Sequence, residues 1–265
     1  MKLADDLYEF AYCPPAAFDH LSFIAAGEPW GEGNRILVNY IRQLYKRIAY
    51  LYGNLERKDE DGNSLFLSEE NVCFDTGLFT EYYESIYALF IPNAKQDSLS
   101  EWFLKGFYKT SDPELSFASK LPDRIRFWED ARDLIYDNRL DIRVNVDHIL
   151  DNPENVSRVP EVLQDPANRS WLTRTFQGAV DEVKKRVSAN YTLAVPQYYN
   201  DNIQLLLPIS LTRDEPELAL AIQRYDGYYV GHTCLTLDWA YQNARLIVRP
   251  EASWIQSVEE NRRIS

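Results

Sequence analysis

The sequence predicts an α+β fold, with mixed, mainly antiparallel sheets and flanking helices, and three observations lead there. Two long stretches, Asn34 to Gly53 and Arg169 to Ala189, carry apolar residues at helical spacing. Several short runs rich in β-branched, aromatic and aliphatic residues are separated by turn dipeptides such as Asp61-Gly62 and Asp226-Gly227. Helical and strand-like segments do not alternate as regular βαβ units, which argues against a doubly wound sheet.

The first helix follows from Ile36, Leu37, Tyr40, Ile41, Leu44, Tyr45, Ile48 and Leu51, with Arg42, Lys46 and Arg47 between them. Gly53 is expected to end it in a left-handed conformation. Glu56 to Asn63 reads as a charged turn. Ser64 to Ser68, Val72 to Phe74 and Ile86 to Ile91 then read as short strands, with Asp75-Thr76-Gly77 as a join, and Trp102 to Tyr108 continues the pattern as a meander. A loop over Asp112 to Pro122 leads to a short helix over Asp123 to Asp133. Arg143 to Leu150 is expected to be helical up to Asn152-Pro153, where the residue before proline leaves the helical region. Asn155 to Asn168 holds Pro160 and Pro166 and is the weakest candidate for regular structure. The chain is read as one domain over residues 1–265, with its best internal seam near 153–168.

Arg169 to Ala189 is the clearest element of the second half. Leu172, Phe176, Ala179, Val180, Val183 and Val187 form one face, while Asp181, Glu182, Lys184, Lys185 and Arg186 run from acidic to basic as the helix dipole prefers. Tyr191 to Tyr198, Ile203 to Leu207, Leu218 to Tyr225 and Tyr228 to Thr233 read as strands, turned at Asn200-Asp201-Asn202 and at Asp226-Gly227. A short helix over Leu237 to Leu246, N-capped by Thr236, closes the pattern.

Composition bounds the function. With 45% hydrophobic and 14% aromatic residues the chain can bury a sizeable core, and with a formal net charge of −13 it lacks the basic excess of a general nucleic-acid coat or an anionic-lipid binder. Cys13, Cys73 and Cys234 are too few and scattered for a disulfide framework, and the start of the chain turns acidic at once. No apolar run approaches the roughly 18 to 20 residues that span a bilayer. A cytoplasmic protein without a membrane partner is expected. Walker loops, glycine-rich dinucleotide turns, serine elbows and HExxH helices are absent from the sequence. No cofactor is implied, and no ligand spacing marks a metal among His148, His232, Asp75, Asp147 and Asp238.

Candidate chemistry concentrates late in the chain. In the helix over Leu237 to Leu246, Asp238, Tyr241 and Arg245 share a face. On one reading Arg245 and Arg249 hold a phosphate or carboxylate while Asn243 and Asp238 read a polar edge; on the other, Asp238 and Arg245 are an internal ion pair supporting the sheet. Asn190, Gln197, Tyr198 and Gln204 form a second group. Its glutamines either satisfy strand edges or face a ligand, with Tyr198 and Tyr199 as a stacking surface. His148, beside Asp147, is a candidate acid or base or else a packed or capping residue. Cys234, two residues after His232 and expected on the same side of a strand, is a thiol nucleophile or, better, a core cysteine.

The run Cys73-Phe74-Asp75-Thr76-Gly77-Leu78 with Ile86-Tyr87-Ala88, Trp102 to Phe107, Leu134-Ile135-Tyr136-Asp137 with Arg143 to Ile149, Asn190 to Tyr199, Gln204 to Leu211 and Thr233 to Trp254 together resemble the domain of unknown function DUF3825. The resemblance runs from about Phe18 over nearly the whole chain. It departs at Asp75, where the family pattern has Asn, and at Trp239, where it has Met. The family's occurrence beside cold-shock-type, OST-HTH and NYN nuclease modules implies an RNA-related setting by association.

Three functions follow as expectations. The first is an RNA- or nucleotide-binding domain that takes a phosphate-bearing ligand through Asn190, Gln197, Tyr198, Gln204, Asn243, Arg245 and Arg249. The second is a hydrolase or transferase acting on a phosphorylated nucleotide or RNA end, with Asp238 or His148 as acid or base. The third is a non-catalytic interaction subunit presenting Trp30, Tyr82 and Tyr83 to a protein partner.

Overall fold

The computed structural model describes residues 3–53, 63–95, 100–250 and 254–255. The fold is α+β and contains two five-stranded sheets, one in each of two compact units, Met1–Arg126 and Phe127–Ser265. Within the described residues no helix is long and apolar enough to cross a membrane.

The first unit begins with α1 (Leu7–Phe10), capped by the Asp6 carboxylate, then β1 (Ala11–Tyr12) and α2 (Pro15–Ile24), with its proline where no intrahelical donor is needed. The long helix α3 spans Arg35–Gly53 and buries the predicted apolar face; Gly53 ends it without a positive φ. Then come β2 (Phe66–Leu67), β3 (Val72–Phe79), β4 (Ser85–Pro92) and β5 (Trp102–Lys109). The charged turn expected from Glu56 lies outside the described residues as far as Gly62.

The sheet order is β1-β5-β4-β3-β2, antiparallel except for the parallel β1–β5 pair. One face stacks aromatics against the three helices, with Phe10 to Tyr45 at 5.0 Å and Phe74 to Phe90 at 5.7 Å between ring centroids. The other carries Cys73, Tyr87 and Leu89 and is covered by Leu115, Phe117 and Leu121 of the chain after β5.

Asp75-Thr76-Gly77 is not a join between strands. It is a bulge inside β3, where the register with β4 shifts between Asp75 and Leu78. Asp75 Oδ1 accepts from the Gly77 N–H at 2.7 Å, Thr76 Oγ1 donates to the Ile86 carbonyl at 2.6 Å, and Tyr40 Oη donates to the Thr76 carbonyl at 2.8 Å. Gly77 has φ +68, and a Cβ there would meet Arg124 Nε at 2.8 Å and Tyr40 Oη at 2.9 Å, so only glycine suits this position.

In the second unit, the helix expected over Asp123–Asp133 is reduced to a 3-10 turn, Ala131–Leu134, capped by Asp130. Arg143 and Val144 belong not to a helix but to β6 (Asp141–Val144). The helix α4 starts only at Val146 (Val146–Asp151), because Asn145 caps it through the His148 N–H. Asn155 to Asn168, the weakest candidate for regular structure, falls in α5 (Pro153–Arg158), α6 (Glu161–Gln164) and a 3-10 turn that pack within this unit; the division between units falls at Arg126/Phe127 rather than near 153–168. The helix α7 spans Arg169–Ala189 as predicted, and Tyr191–Leu193 is a 3-10 turn rather than strand. Four strands follow, β7 (Val195–Tyr199), β8 (Asn202–Ile209), β9 (Leu218–Tyr225) and β10 (Tyr228–Thr236), and then α8 (Leu237–Arg245).

This sheet runs β6-β10-β9-β8-β7, with only β6 and β10 parallel. Its inner face, including Leu205, Leu207, Leu220, Ile222 and Tyr229, packs on α4, α6 and the apolar stripe of α7 in one core. The opposite face is covered only in part, where α8 lays Ala240, Tyr241 and Ala244 over β7, β9 and β10.

Candidate functional site

The partly covered face of the second sheet holds Gln197 and Gln204, two of the residues singled out from the sequence. Alternation along each strand places Gln197 of β7, Gln204 of β8 and Gln223 of β9 side by side on it. Asn243 of α8 donates to Gln197 Oε1 at 3.1 Å, Gln197 donates to Gln204 Oε1 at 2.8 Å, and Gln204 reaches Gln223 Oε1 at 3.5 Å. Gln197 is only 1% exposed, so its amide is satisfied by this row rather than by solvent. Three predicted residues therefore meet in one bonded file running from beneath α8 toward the open part of the sheet.

The other predicted residues are placed differently. Asn190 caps the 3-10 turn after α7 by accepting from the Thr192 N–H and hydroxyl. Tyr198 donates to Asp201 Oδ1 and stands edge-on to Phe127 at 4.9 Å. Asp238, in the first turn of α8 that Thr236 caps, accepts from Gln242 at 3.0 Å. Arg245 is 6% exposed, whereas Arg249 lies beyond the helix end and is exposed. A guanidinium so enclosed does not offer an approaching phosphate the open fork that the sequence reading gave it.

His148 and His232 are both exposed, and His148 is near enough to repel a proton on His232. The His232 pKa is held below the ordinary imidazole value, first by partial burial and then by this neighbour. Cys234 does not share its side of the strand. The register of β10 against β9 slips between Gly231 and Thr233, so His232 is the extra residue of a bulge and faces out while Cys234 faces the core. Burial pushes the Cys234 thiol up to about 12, the behaviour of a packed cysteine rather than a nucleophile. Among the described residues no three His, Cys, Asp or Glu side chains cluster so as to hold a metal ion.

The open end of this face also carries residues that sequence reasoning did not assemble. Tyr225 and Tyr228 flank the Asp226-Gly227 turn, and a two-residue hairpin loop places them directly opposite each other. Their rings lie nearly parallel with centroids 5.9 Å apart, and Tyr225 is 41% exposed. The Arg143 guanidinium stands over the Tyr228 ring at 3.9 Å, and His232 Nε2 is 3.4 Å from the Tyr225 hydroxyl. Gln223, the last amide of the row, lies two residues before Tyr225 on the same face of β9. The signal was present in the spacing, since Tyr-Asp-Gly-Tyr at a tight hairpin forces the pair together.

Arg158 is committed to the architecture. It donates to the Cys234 carbonyl at 2.6 Å and to Asn155 Oδ1 at 3.1 Å, lies 4.8 Å over the Trp239 ring, and so ties α5 to β10. Of the aromatics proposed for a protein partner, Tyr82 and Tyr83 are 91% and 85% exposed, but Trp30 is buried at 5% and presents nothing to a partner.

No curated protein and no solved structure matches the chain. A family model does match, over residues 21–254, and the chain accordingly belongs to the family described as domain of unknown function (DUF3825).

Proposed function

We propose that the second unit binds a short single-stranded RNA or a nucleotide on the open end of its sheet. The observation that carries this reading is the stacked Tyr225–Tyr228 pair, exposed at Tyr225, with Arg143 over one ring and His232 beside the other. Bases stack on tyrosine faces without regard to sequence, and a guanidinium at the rim offers a phosphate its counter-charge. Gln223 adds an amide that can donate to and accept from a base edge.

The surrounding charge limits the ligand. Asp141 lies opposite Tyr228 in the β6–β10 pair and Asp226 sits in the turn, on a chain of net charge −13. Such a surface suits a few nucleotides held by stacking and disfavours a long polyanion held by charge alone.

The test is fluorescence anisotropy of labelled oligoribonucleotides of about eight residues, a length within single-strand site sizes. Replacing Tyr228 by Ala is expected to weaken binding about tenfold, with Arg143→Ala reducing both affinity and its salt dependence. Absence of binding at low salt, or affinity untouched by both replacements, rules the reading out.

A further inference from the structure

The geometry points to a second, independent binding site in the first unit: a hollow of about 480 Å³ shaped for an uncharged ring compound that carries several hydroxyl groups. The volume lies in the range of small-molecule sites. It opens where the chain after β5 folds over the sheet face that bears Tyr87.

The walls are held in place by bonds that need no ligand. Thr110 N–H donates to the Ser85 carbonyl at 3.1 Å, and Ser111 donates to Glu84 Oε1 through both its N–H, at 3.1 Å, and its hydroxyl, at 2.7 Å. The Lys109 N–H donates to Asp112 Oδ2 at 2.8 Å, and Leu115 anchors the following 3-10 turn in the small core with Tyr87. A site preorganised in this way need not order its loop on binding.

The lining determines the class of ligand. No lysine or arginine lines the hollow, so a phosphate or carboxylate would meet Asp112 with no cation among the lining residues. A cation is not called for either, because the Asp112 carboxylate is already 3.6 Å from Lys109 Nζ. Of the lining residues, Ser116 and Ser119 are exposed and make no side-chain hydrogen bond among the described residues, and Leu115, Leu121 and the Tyr87 ring supply apolar atoms. Hydroxyls that both donate and accept, in one lining with apolar side chains, match the polar rim and C–H face of a saccharide or of a ribose.

Titration of the full chain with glucose, ribose, adenosine and adenosine monophosphate, followed by calorimetry and ligand-observed NMR, tests this. At least one neutral member is expected to bind, and glucose against adenosine tells a free sugar from a nucleoside. The double replacement Ser116→Ala/Ser119→Ala is expected to weaken that binding about tenfold, by loss of two hydrogen bonds. Ser119→Trp is expected to abolish it by filling the space, and Tyr228→Ala to leave it unchanged, which separates this site from the one on the second sheet. Failure of every neutral compound to bind, tighter binding of the monophosphate than of adenosine by the Tyr228→Ala chain, or indifference to the double serine replacement would each overturn the assignment; the last decides the matter even if the tryptophan variant does not fold.

Discussion

The two sheets of this protein have the same number of strands and differ in how their faces are closed. In the first unit both faces are covered, one by α1 to α3 and the other by the chain from Thr110 to Leu121, and Asp75 and Thr76 are buried at the β3 bulge. In the second unit one face is closed by α4 to α7, whereas on the other the described residues place the nine-residue helix α8 over β7, β9 and β10 and leave Tyr225 exposed. A sheet face left half covered must be polar or aromatic where it is open, and it is that requirement which brings Gln223, Tyr225, Tyr228, Arg143 and His232 into one place.

If the comparison holds, damage to a closed face lowers stability and damage to the open face lowers binding. The largest effect is expected from Phe176→Ala in α7, fully buried against the second sheet, at about 3–5 kcal/mol of stability by chemical denaturation. Next is the pH response of Asp75. Burial raises its carboxyl from 3.8 to about 6, so the folded state holds the proton more tightly than the unfolded chain. The stability it confers is therefore present below about pH 4 and declines as pH rises through about 6.

Asp75→Asn keeps an acceptor for the Gly77 N–H and removes the ionisation. It is expected to flatten that slope and raise stability at pH 7 by on the order of 2 kcal/mol. A variant curve still falling between those pH values would assign the slope to other groups. In the second unit, Gln204→Leu leaves Gln197 without its acceptor at the centre of the amide row and is expected to cost about 1–2 kcal/mol, read from the denaturation midpoint. The smallest change in stability, within about 0.5 kcal/mol, is expected for Tyr225→Ala on the open face, together with a loss of RNA or nucleotide affinity of about tenfold. Reversal of that last pattern, with folding lost and binding kept, would mean that the tyrosine pair is core after all.

How much was legible depended on how local the cause was. α7 was read to the residue because its apolar stripe and charge gradient lie within one continuous segment. The cap of α8 by Thr236 and the hairpins at Asn200-Asp201 and Asp226-Gly227 were read for the same reason, the first with φ values of 47° and 60° and the second with Gly227 at 84°. β6 was misread as helix because Val144 and Val146 straddle a junction. Only pairing with Tyr228 to Gly231, more than eighty residues later, holds Arg143 extended. The exposure of Trp30 and the shared side of His232 and Cys234 were misjudged for a similar reason, since burial and a bulge are settled by neighbours far away in the chain.

By itself the sequence determined the fold class, the long helices, the hairpins and the exclusion of a broad basic face, because each depends on periodicity, turn chemistry or total charge. Tertiary structure alone decided that Gln197 and Gln204 satisfy one another, that Arg245 is enclosed, and that Tyr225 and Tyr228 stack at an exposed hairpin. The physical reason is that a strand offers two equivalent faces, and which part of each meets water is set by elements distant in the chain, α7 on one side and α8 on the other.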